Sequence, residues 1–287
     1  MTSPKLVAGL AALADRYDVL LCDVWGVIHN GREAFPVACE ALARYRAQGG
    51  EVVLVSNSPR PNAQVIAQMD ALGVPREAWS LIVTSGDATR KLLAQRAPGP
   101  AWKLGPERDD PLYDGLGLAF AALDQARFIA CTGPFDDERE TPEDYRERFL
   151  AAIARGLPMI CANPDIVVQR GEKLIYCGGA LAQLYEALDG QVAMAGKPHA
   201  AIYELALAKA AERRGGPIER SRVLCVGDGP RTDLRGANAQ GLDALFIANG
   251  IHGPEILASG GIDPTMIDHV FETEGVAAAY AMADLVW

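Results

Sequence analysis

The chain has 287 residues, with 27 Lys and Arg against 37 Asp and Glu, so its formal net charge at pH 7 is −10. This surplus of negative charge repels nucleic acid and anionic lipid surfaces, and neither is an expected partner. The length suffices for two domains, and an apolar fraction of 49% with 22% charged residues is ordinary for a globular protein and excludes a disordered chain.

The N-terminal segment admits two interpretations. Residues 6–14 are apolar and follow Lys5, as in a secretion signal. We predict instead a helix that packs on the core, because Leu6, Leu10, Leu13 and Tyr17 recur at near-helical spacing. The chain contains no run of about 20 apolar residues, which excludes a membrane-spanning helix.

Short runs rich in leucine and β-branched residues then alternate with helical patterns, which is typical of a doubly wound α/β fold with a parallel sheet. The continuous hydrophobicity of these runs indicates strands that are buried on both faces. We predict strands of the main sheet at residues 19–22, 51–55, 81–84, 192–195, 222–226 and 244–248. We predict helices at residues 35–47, 62–72, 87–95, 180–188, 200–213 and 231–239.

The middle of the chain has a different pattern, which begins at the Pro-Gly-Pro sequence of residues 98–100. It contains strand-like pieces at residues 117–118, 128–131 and 159–162, and a charged helical pattern at residues 142–155. We predict an inserted domain at residues 99–177, with the main domain assembled from residues 1–98 and 178–287.

Six cysteines are scattered singly, without the CxxC spacing that marks zinc sites and redox dithiols. This usage predicts reduced thiols and a cytoplasmic protein. The cysteines are Cys22, Cys39, Cys131, Cys161, Cys177 and Cys225.

Polar residues follow several predicted strands at the edge where parallel α/β sheets bind ligands. Asp23 ends the first strand, Ser56 and Asn57 end the second, and Asp228 follows the strand at residues 222–226. Lys197 follows another strand. Carboxylates placed together repel one another unless a divalent cation lies among them, and Mg²⁺ prefers carboxylate and phosphate oxygens.

This arrangement resembles the haloacid dehalogenase (HAD) superfamily of hydrolases, in the NagD-like phosphatase branch, subfamily IIA. The resemblance covers nearly the whole chain and implies a Rossmann-like core with an inserted α/β cap domain of the C2 type. The four motifs that carry it occur in the family's order: Asp23-Val24-Trp25-Gly26-Val27, Ser56-Asn57, Gly196-Lys197-Pro198, and Gly227-Asp228 with Thr232-Asp233.

The resemblance implies an activity, which is hydrolysis of a small phosphorylated metabolite through an aspartyl phosphate formed on Asp23. It implies that Mg²⁺ is held by Asp23, the backbone carbonyl of Trp25 and Asp228, with Asp233 either as a further ligand or as a residue that orients the other ligands. Lys197 is implied as the catalytic cation beside Asp23.

Four further residues concern the substrate. The resemblance implies that Ser56 and the backbone amide of Asn57 bind the phosphoryl oxygens, together with Lys197. Asn163 and Asp165 resemble a cap loop that selects the substrate in relatives, although both residue types also favour turns.

The sequence departs from the family at Trp25. Phosphatases of the superfamily carry a second Asp there, which protonates the leaving group and then activates water. An indole offers one N–H donor and cannot exchange a proton near neutral pH. Trp25 either fills the space structurally or stacks on the substrate, and His29 is a candidate replacement acid against the alternative of a surface histidine.

Two functions therefore remain open. The first is a Mg²⁺-dependent phosphatase of sugar phosphates or nucleotides; the second is a catalytically impaired homologue that binds Mg²⁺ and a phosphorylated ligand as a sensor or regulatory protein. A dinucleotide-dependent oxidoreductase is excluded, because residues 23–31 lack the GxGxxG sequence and place a carboxylate where pyrophosphate would lie. A homo-oligomer is left open.

Overall fold

The computed structural model describes residues 3–170, 173–258 and 260–287. The chain forms two compact units. The first comprises Met1–Ser56, Ile66–Val83 and Tyr203–Trp287, and the second comprises Asn57–Val65 and Thr84–Ile202.

The strands are, in chain order, β1 (Lys5–Leu6), β2 (Val19–Cys22), β3 (Glu51–Ser56), β4 (Leu81–Thr84), β5 (Ala101–Leu104), β6 (Phe128–Cys131), β7 (Met159–Cys161), β8 (Val167–Arg170), β9 (Lys173–Tyr176), β10 (Val192–Met194), β11 (Val223–Gly227), β12 (Asp243–Ile247) and β13 (Tyr280–Met282). The α-helices are α1 (Pro36–Ala47), α2 (Asn62–Ala71), α3 (Ser85–Ala94), α4 (Arg146–Ala154), α5 (Gly178–Ala187), α6 (Ala200–Arg214), α7 (Arg235–Gln240), α8 (Gly253–Ile256) and α9 (Pro264–Glu274). A π-turn at Pro230–Leu234 precedes α7, and 3₁₀ turns occupy Leu10–Ala12, Arg76–Ala78, Glu107–Tyr113, Pro142–Tyr145 and Arg220–Arg222.

The first unit is built on a seven-stranded sheet in the order β1-β13-β12-β11-β2-β3-β4. The pairings from β1 through to β3 are parallel. Every residue of β2, β3 and β11 is buried, as expected for strands covered on both faces. Because β2 and β11 are neighbours, with Cys22 opposite Val226, the residues that follow them leave the sheet side by side.

The second unit contains a four-stranded sheet in the order β10-β7-β6-β5, in which all three pairings are parallel, and an antiparallel pair of β8 with β9. Its core includes Tyr145, Phe149 and Tyr185, all of which have 0% exposure. The Phe149 ring lies 5.9 Å from the Tyr145 ring and 5.1 Å from the Tyr185 ring, between ring centroids. These contacts give the smaller sheet a hydrophobic core of its own.

The structure confirms the predicted α/β class and corrects several elements. No helix among the described residues is long and apolar enough to cross a membrane. The predicted N-terminal helix is wrong: β1 pairs with β13, and only Leu10–Ala12 forms a 3₁₀ turn. Leu10, Leu13 and Tyr17 are nevertheless buried, whereas Leu6 is 47% exposed. The spacing therefore identified three core residues without a helix, and the prediction for Leu6 is wrong.

The strand predicted at residues 192–195 was placed in the wrong sheet. Its observed counterpart β10 pairs with β7 in the second unit, because sheet membership depends on a partner that local hydrophobicity does not specify. The predicted strand at residues 117–118 is also absent, and this stretch contributes only an isolated bridge between Ala101 and Phe120. The insert boundaries of 99–177 fall within the second unit and stay a prediction.

Candidate active site

Three carboxylates lie together at the carboxyl ends of two neighbouring strands of the first unit. Asp23 follows β2, whereas Asp228 and Asp233 follow β11, and one oxygen from each lies within 4.8 Å of the others. Asp228 and Asp233 are 8% and 4% exposed, and Asp23 is half-buried. The structure therefore brings together the three acidic residues that the sequence placed at strand ends.

Backbone hydrogen bonds fix each of these carboxylates. Asp23 Oδ1 accepts from the N–H of Val24 at 2.7 Å. Asp228 Oδ2 accepts from the N–H of Ile251 at 3.0 Å, and Asp233 Oδ2 accepts from the N–H of Gly229 at 3.1 Å. Asp233 lies in the π-turn after β11, a distortion found often at functional sites.

Glycines around the cluster let the backbone approach the carboxylates closely. A Cβ on Gly26 would lie 2.4 Å from Asp228 Oδ2, and one on Gly250 would lie 2.0 Å from the same atom. A Cβ on Gly227 would lie 2.2 Å from Asp233 Cγ. A side chain at these three positions would collide with Asp228 or Asp233, so the glycine backbone lies directly against these two carboxylates.

The donor set fits a hard divalent cation. Three carboxylates within 4.8 Å, two of them buried, repel one another when they are all ionised, and a cation among them removes that repulsion. Oxygen-only ligands of this kind suit Mg²⁺ or Ca²⁺ rather than softer metals.

Trp25 is held by the segment that follows it. The indole packs edge-on against the His29 ring, with 5.2 Å between centroids. His29 is 2% exposed, and its Nδ1 accepts from the N–H of Gly31 at 3.0 Å. Nδ1 therefore carries no proton, and a neutral ring has its proton on Nε2. His29 is buried, which makes the surface-histidine alternative wrong.

Gly31 leaves room for the indole. Its φ is +83°, and a Cβ there would lie 2.4 Å from Trp25 Cη2. Gly49 has a similar φ of +92° but no atom within 4 Å of its Cβ position. An alanine at either position would strain the backbone, but only an alanine at position 31 would also collide with the indole. Comparison of the two substitutions therefore isolates the effect of the collision.

We expect Gly31→Ala to lower the free energy of unfolding by about 1 to 3 kcal/mol more than Gly49→Ala, because it alone adds overpacking to the backbone strain. Urea unfolding of the two variants and the unaltered protein measures the difference. Equal losses in the two variants would show that the indole moves aside without cost.

A second set of predicted residues meets within the second unit. Asn57 Nδ2 donates to Asp165 Oδ1 at 2.7 Å and to the carbonyl of Lys197 at 3.1 Å. Asn57 Oδ1 accepts from the N–H of Lys197 at 2.7 Å. Asn57 and Lys197 are each 3% exposed. Ser56, the last residue of β3 in the first unit, is 8% exposed.

Sequence reasoning missed Ser85, the first residue of α3. Its hydroxyl is fully buried and has no hydrogen-bond partner among the residues that the structure describes. A Cβ on Gly196 would lie 2.4 Å from Ser85 Oγ and 2.7 Å from Asn57 Oδ1, so the hydroxyl lies close to the loop that carries Lys197. The available signal was the polar pair Thr84 and Ser85, followed by a glycine, at the carboxyl end of β4.

Tyr203 is a second residue that the sequence did not single out. Burial, and then the nearby Cys225, Asp233 and Asp23, raise its pKa well above the usual value for a phenol. Its hydroxyl lies 3.5 Å from the carbonyl oxygens of Thr232 and Asp233. Tyr203 therefore stays neutral near pH 7 and supports the π-turn at Pro230–Leu234 as a hydrogen-bond donor.

Comparisons with known proteins identify the family. A family described as haloacid dehalogenase-like hydrolase matches residues 20–119, and one described as HAD-hydrolase-like matches residues 194–273. A solved haloacid dehalogenase-like hydrolase from Brucella suis 1330 is 46% identical, with a TM-score of 0.88, and the match covers 98% of this chain and 100% of that one. The chain belongs to the haloacid dehalogenase-like hydrolase family.

Named relatives define the branch. The 5′-nucleotidase YutF of Bacillus subtilis is 26% identical over 87% of this chain and 94% of its own length. The ribonucleotide monophosphatase NagD of Escherichia coli is 24% identical over 86% of this chain and 94% of its own length. A glycerol phosphate phosphatase from Mycobacterium tuberculosis, solved in complex with calcium, is 27% identical with a TM-score of 0.61, covering 83% of this chain and 68% of that one. The chain is thus a phosphatase-like hydrolase of the NagD-like branch.

Proposed function

We propose that the protein is a Mg²⁺-dependent phosphomonoester hydrolase that acts on a small phosphorylated metabolite, a sugar phosphate or a nucleotide. The observation that carries this function is the cluster of Asp23, Asp228 and Asp233, whose oxygens lie within 4.8 Å of one another. Relatives that are named as nucleotidases and sugar or glycerol phosphate phosphatases support the substrate class.

Asp23 is the proposed nucleophile. Its carboxylate attacks phosphorus, the ester P–O bond breaks, and an aspartyl phosphate forms while the leaving oxygen takes up a proton. Water then attacks this phosphate and releases inorganic phosphate and the free carboxylate. The half-buried position of Asp23 and the bond from the N–H of Val24 hold one oxygen fixed for this attack.

The residues proposed to hold Mg²⁺ are Asp23, the backbone carbonyl of Trp25, Asp228 and Asp233. When bound, the metal supplies positive charge that lets an anionic nucleophile approach an anionic phosphate. Asp233, at 4% exposure, is suited to orienting the other ligands or to binding directly.

Lys197, Ser56 and the amide N–H of Asn57 are proposed to bind the phosphoryl oxygens. The ammonium group of Lys197 neutralises charge that develops as phosphorus is attacked. Burial of Lys197 and of the Asn57 side chain, each at 3% exposure, supports this role, because hydrogen bonds to charge strengthen away from water.

The remaining features of the proposal concern the selection of the substrate and the cellular location of the protein. We propose that Asn163 and Asp165 lie in the loop that selects the substrate within the second unit. We also propose a cytoplasmic location, which is supported by the six cysteine thiols, all of them buried.

Trp25 favours a second candidate function. The position that supplies a proton in phosphatases of the superfamily here holds an indole, so the protein could bind Mg²⁺ and a phosphorylated ligand as a sensor. Turnover of a panel of aryl and alkyl phosphates, compared with thermal shifts caused by the same compounds, separates the two functions. Thermal shifts without turnover would establish the sensor.

Metal binding by the carboxylate cluster is testable without activity. With Mg²⁺ at about 100 times its Kd, binding adds about 2.7 kcal/mol to the free energy of unfolding, so we expect Tm to rise by several degrees. Asp228→Asn should abolish most of this rise, whereas Asp70→Asn, at an exposed ion pair with Arg76, should retain it. A wild-type Tm that does not respond to Mg²⁺ would count against the site.

A further inference from the structure

The side chain of Asn57 joins three parts of the second unit. Both N–H groups of a primary amide can donate and its oxygen can accept. In Asn57 the nitrogen donates to Asp165 Oδ1 at 2.7 Å and to the Lys197 carbonyl at 3.1 Å, and the oxygen accepts from the Lys197 N–H at 2.7 Å. The amide therefore connects the loop after β3, the loop that carries Lys197 and the loop that carries Asp165.

The two bonds between Asn57 and Lys197 run in opposite directions. Reversal of the amide would place its nitrogen against the Lys197 N–H and its oxygen against both the Lys197 carbonyl and the Asp165 carboxylate. Each of those pairs repels, so the observed orientation is fixed by its partners. Asp165 contributes the charged acceptor, which makes the strongest type of hydrogen bond to an amide N–H.

Asp165 is itself held at its backbone. Its N–H donates to Asn163 Oδ1 at 3.2 Å, and its carbonyl accepts from the N–H of Gly179 at 3.0 Å. A Cβ on Gly179 would lie 2.1 Å from the carbonyl oxygen of Pro164, so the loop lies directly on the first turn of α5. The carboxylate is thus presented to Asn57 from a backbone with little freedom.

From this geometry we infer that Asp165 is a positioning residue for phosphate binding. It acts through Asn57. The side chain of Asn57 fixes the backbone of Lys197, and the backbone N–H of Asn57 is a proposed hydrogen-bond donor to the phosphoryl group. The role rests on the proposed function and deepens it. Within the loop proposed to select the substrate, Asp165 sets the affinity for the phosphoryl group that all substrates share, and discrimination between leaving groups falls to other residues of that loop. The contribution of Asp165 is therefore independent of the leaving group.

Asp165→Ala removes the acceptor and leaves a buried N–H of Asn57 unpaired. Loss of a hydrogen bond to a charged group costs about 10- to 100-fold in binding. We expect the inhibition constant of inorganic phosphate, measured with Mg²⁺, to rise by that factor. We expect kcat/KM for p-nitrophenyl phosphate and for glucose 6-phosphate to fall by equal factors. Asp165→Asn, whose amide oxygen can accept the same bond, should stay within about 5-fold of the unaltered protein.

Two further variants separate positioning from folding. Asp110→Ala removes a carboxylate of the second unit that pairs only with Lys103 among the recorded ion pairs of the described residues, and it should change neither constant. Asp165→Leu replaces the carboxylate by a side chain of similar size without an acceptor, and it should reproduce the effect of Asp165→Ala if the latter is too unstable to assay. Thermal melting of each variant monitors the fold.

Two results would overturn the positioning role. One is an unchanged inhibition constant of inorganic phosphate in both Asp165→Ala and Asp165→Leu. The other is a loss of kcat/KM that differs between the two substrates, which would show that Asp165 contacts the leaving group. Failure of the proposed function has a different signature, because the unaltered protein would then neither hydrolyse these esters nor bind inorganic phosphate, and the positioning role would fall with it.

Discussion

Asp23→Asn is expected to lower phosphate ester turnover by at least about 10³-fold, because an amide is a poor nucleophile toward phosphorus. The fold should persist. The backbone N–H of Asp23 donates to the Val226 carbonyl at 2.8 Å, and Asn Oδ1 can still accept from the Val24 N–H. Release of p-nitrophenolate from p-nitrophenyl phosphate in the presence of Mg²⁺ measures the loss.

A matched control separates nucleophile loss from a change in charge. Asp70→Asn removes the same charge from an exposed site of the first unit, and it should leave turnover unaltered. Turnover by Asp23→Asn at the unaltered rate would place the nucleophile on another residue. Retained affinity for inorganic phosphate in the inactive variant would show that the binding groups remain in position.

Strands with buried faces on both sides could be predicted closely from the sequence. The predicted bounds of β2 and β4 match the structure, and those of β3, β11 and β12 differ by about one residue at their ends. Continuous apolar runs between turn residues specify such strands locally. By contrast, β1 has only two residues and depends on pairing with Tyr280 and Ala281. The sequence close to β1 therefore does not predict a strand there.

The acidic cluster could also be predicted from the sequence, because it depends on strands that apolar runs specify locally. Asp23 and Asp228 follow two recognisable strands, and adjacency of those strands brings the carboxylates together. The hydrogen bonds from Asn57 to Asp165 and Lys197 could not be predicted from the sequence, because their partners lie 108 and 140 positions away from Asn57. The position of each loop there depends on tertiary packing, which no local propensity encodes.

The segment around Trp25 shows how a departure from a family pattern is accommodated. Gly31 leaves room for the indole, and His29 packs on its edge. His29 is buried with Nδ1 bonded to the Gly31 N–H, so a role as proton donor would fall to Nε2. The residues around position 25 therefore accommodate the tryptophan. An aspartate placed there would be smaller than the space that these residues leave.

Trp25→Asp is expected to raise turnover of alkyl phosphates by as much as about 10²-fold, because it restores a general acid. A sugar phosphate expels an alkoxide, which needs a proton in the transition state, whereas p-nitrophenyl phosphate expels a stabilised phenolate that needs little protonation. The unaltered protein should therefore hydrolyse aryl phosphates measurably and alkyl phosphates poorly, and the aryl rate should gain less from the substitution. Steady-state rates on glucose 6-phosphate and p-nitrophenyl phosphate give the comparison.

Trp25→Asn is the matched control for this gain. It leaves the same void beside His29 and Gly31, which lowers stability and blunts the gain, but it supplies no acid. The excess of Trp25→Asp over Trp25→Asn on glucose 6-phosphate therefore isolates proton transfer. If the unaltered protein already cleaves glucose 6-phosphate at ordinary enzyme rates and Trp25→Asp lowers that rate, position 25 never lacked an acid. A large loss of alkyl phosphate turnover in His29→Ala would then identify His29 Nε2 as the donor, because the His29 ring packs directly against the indole.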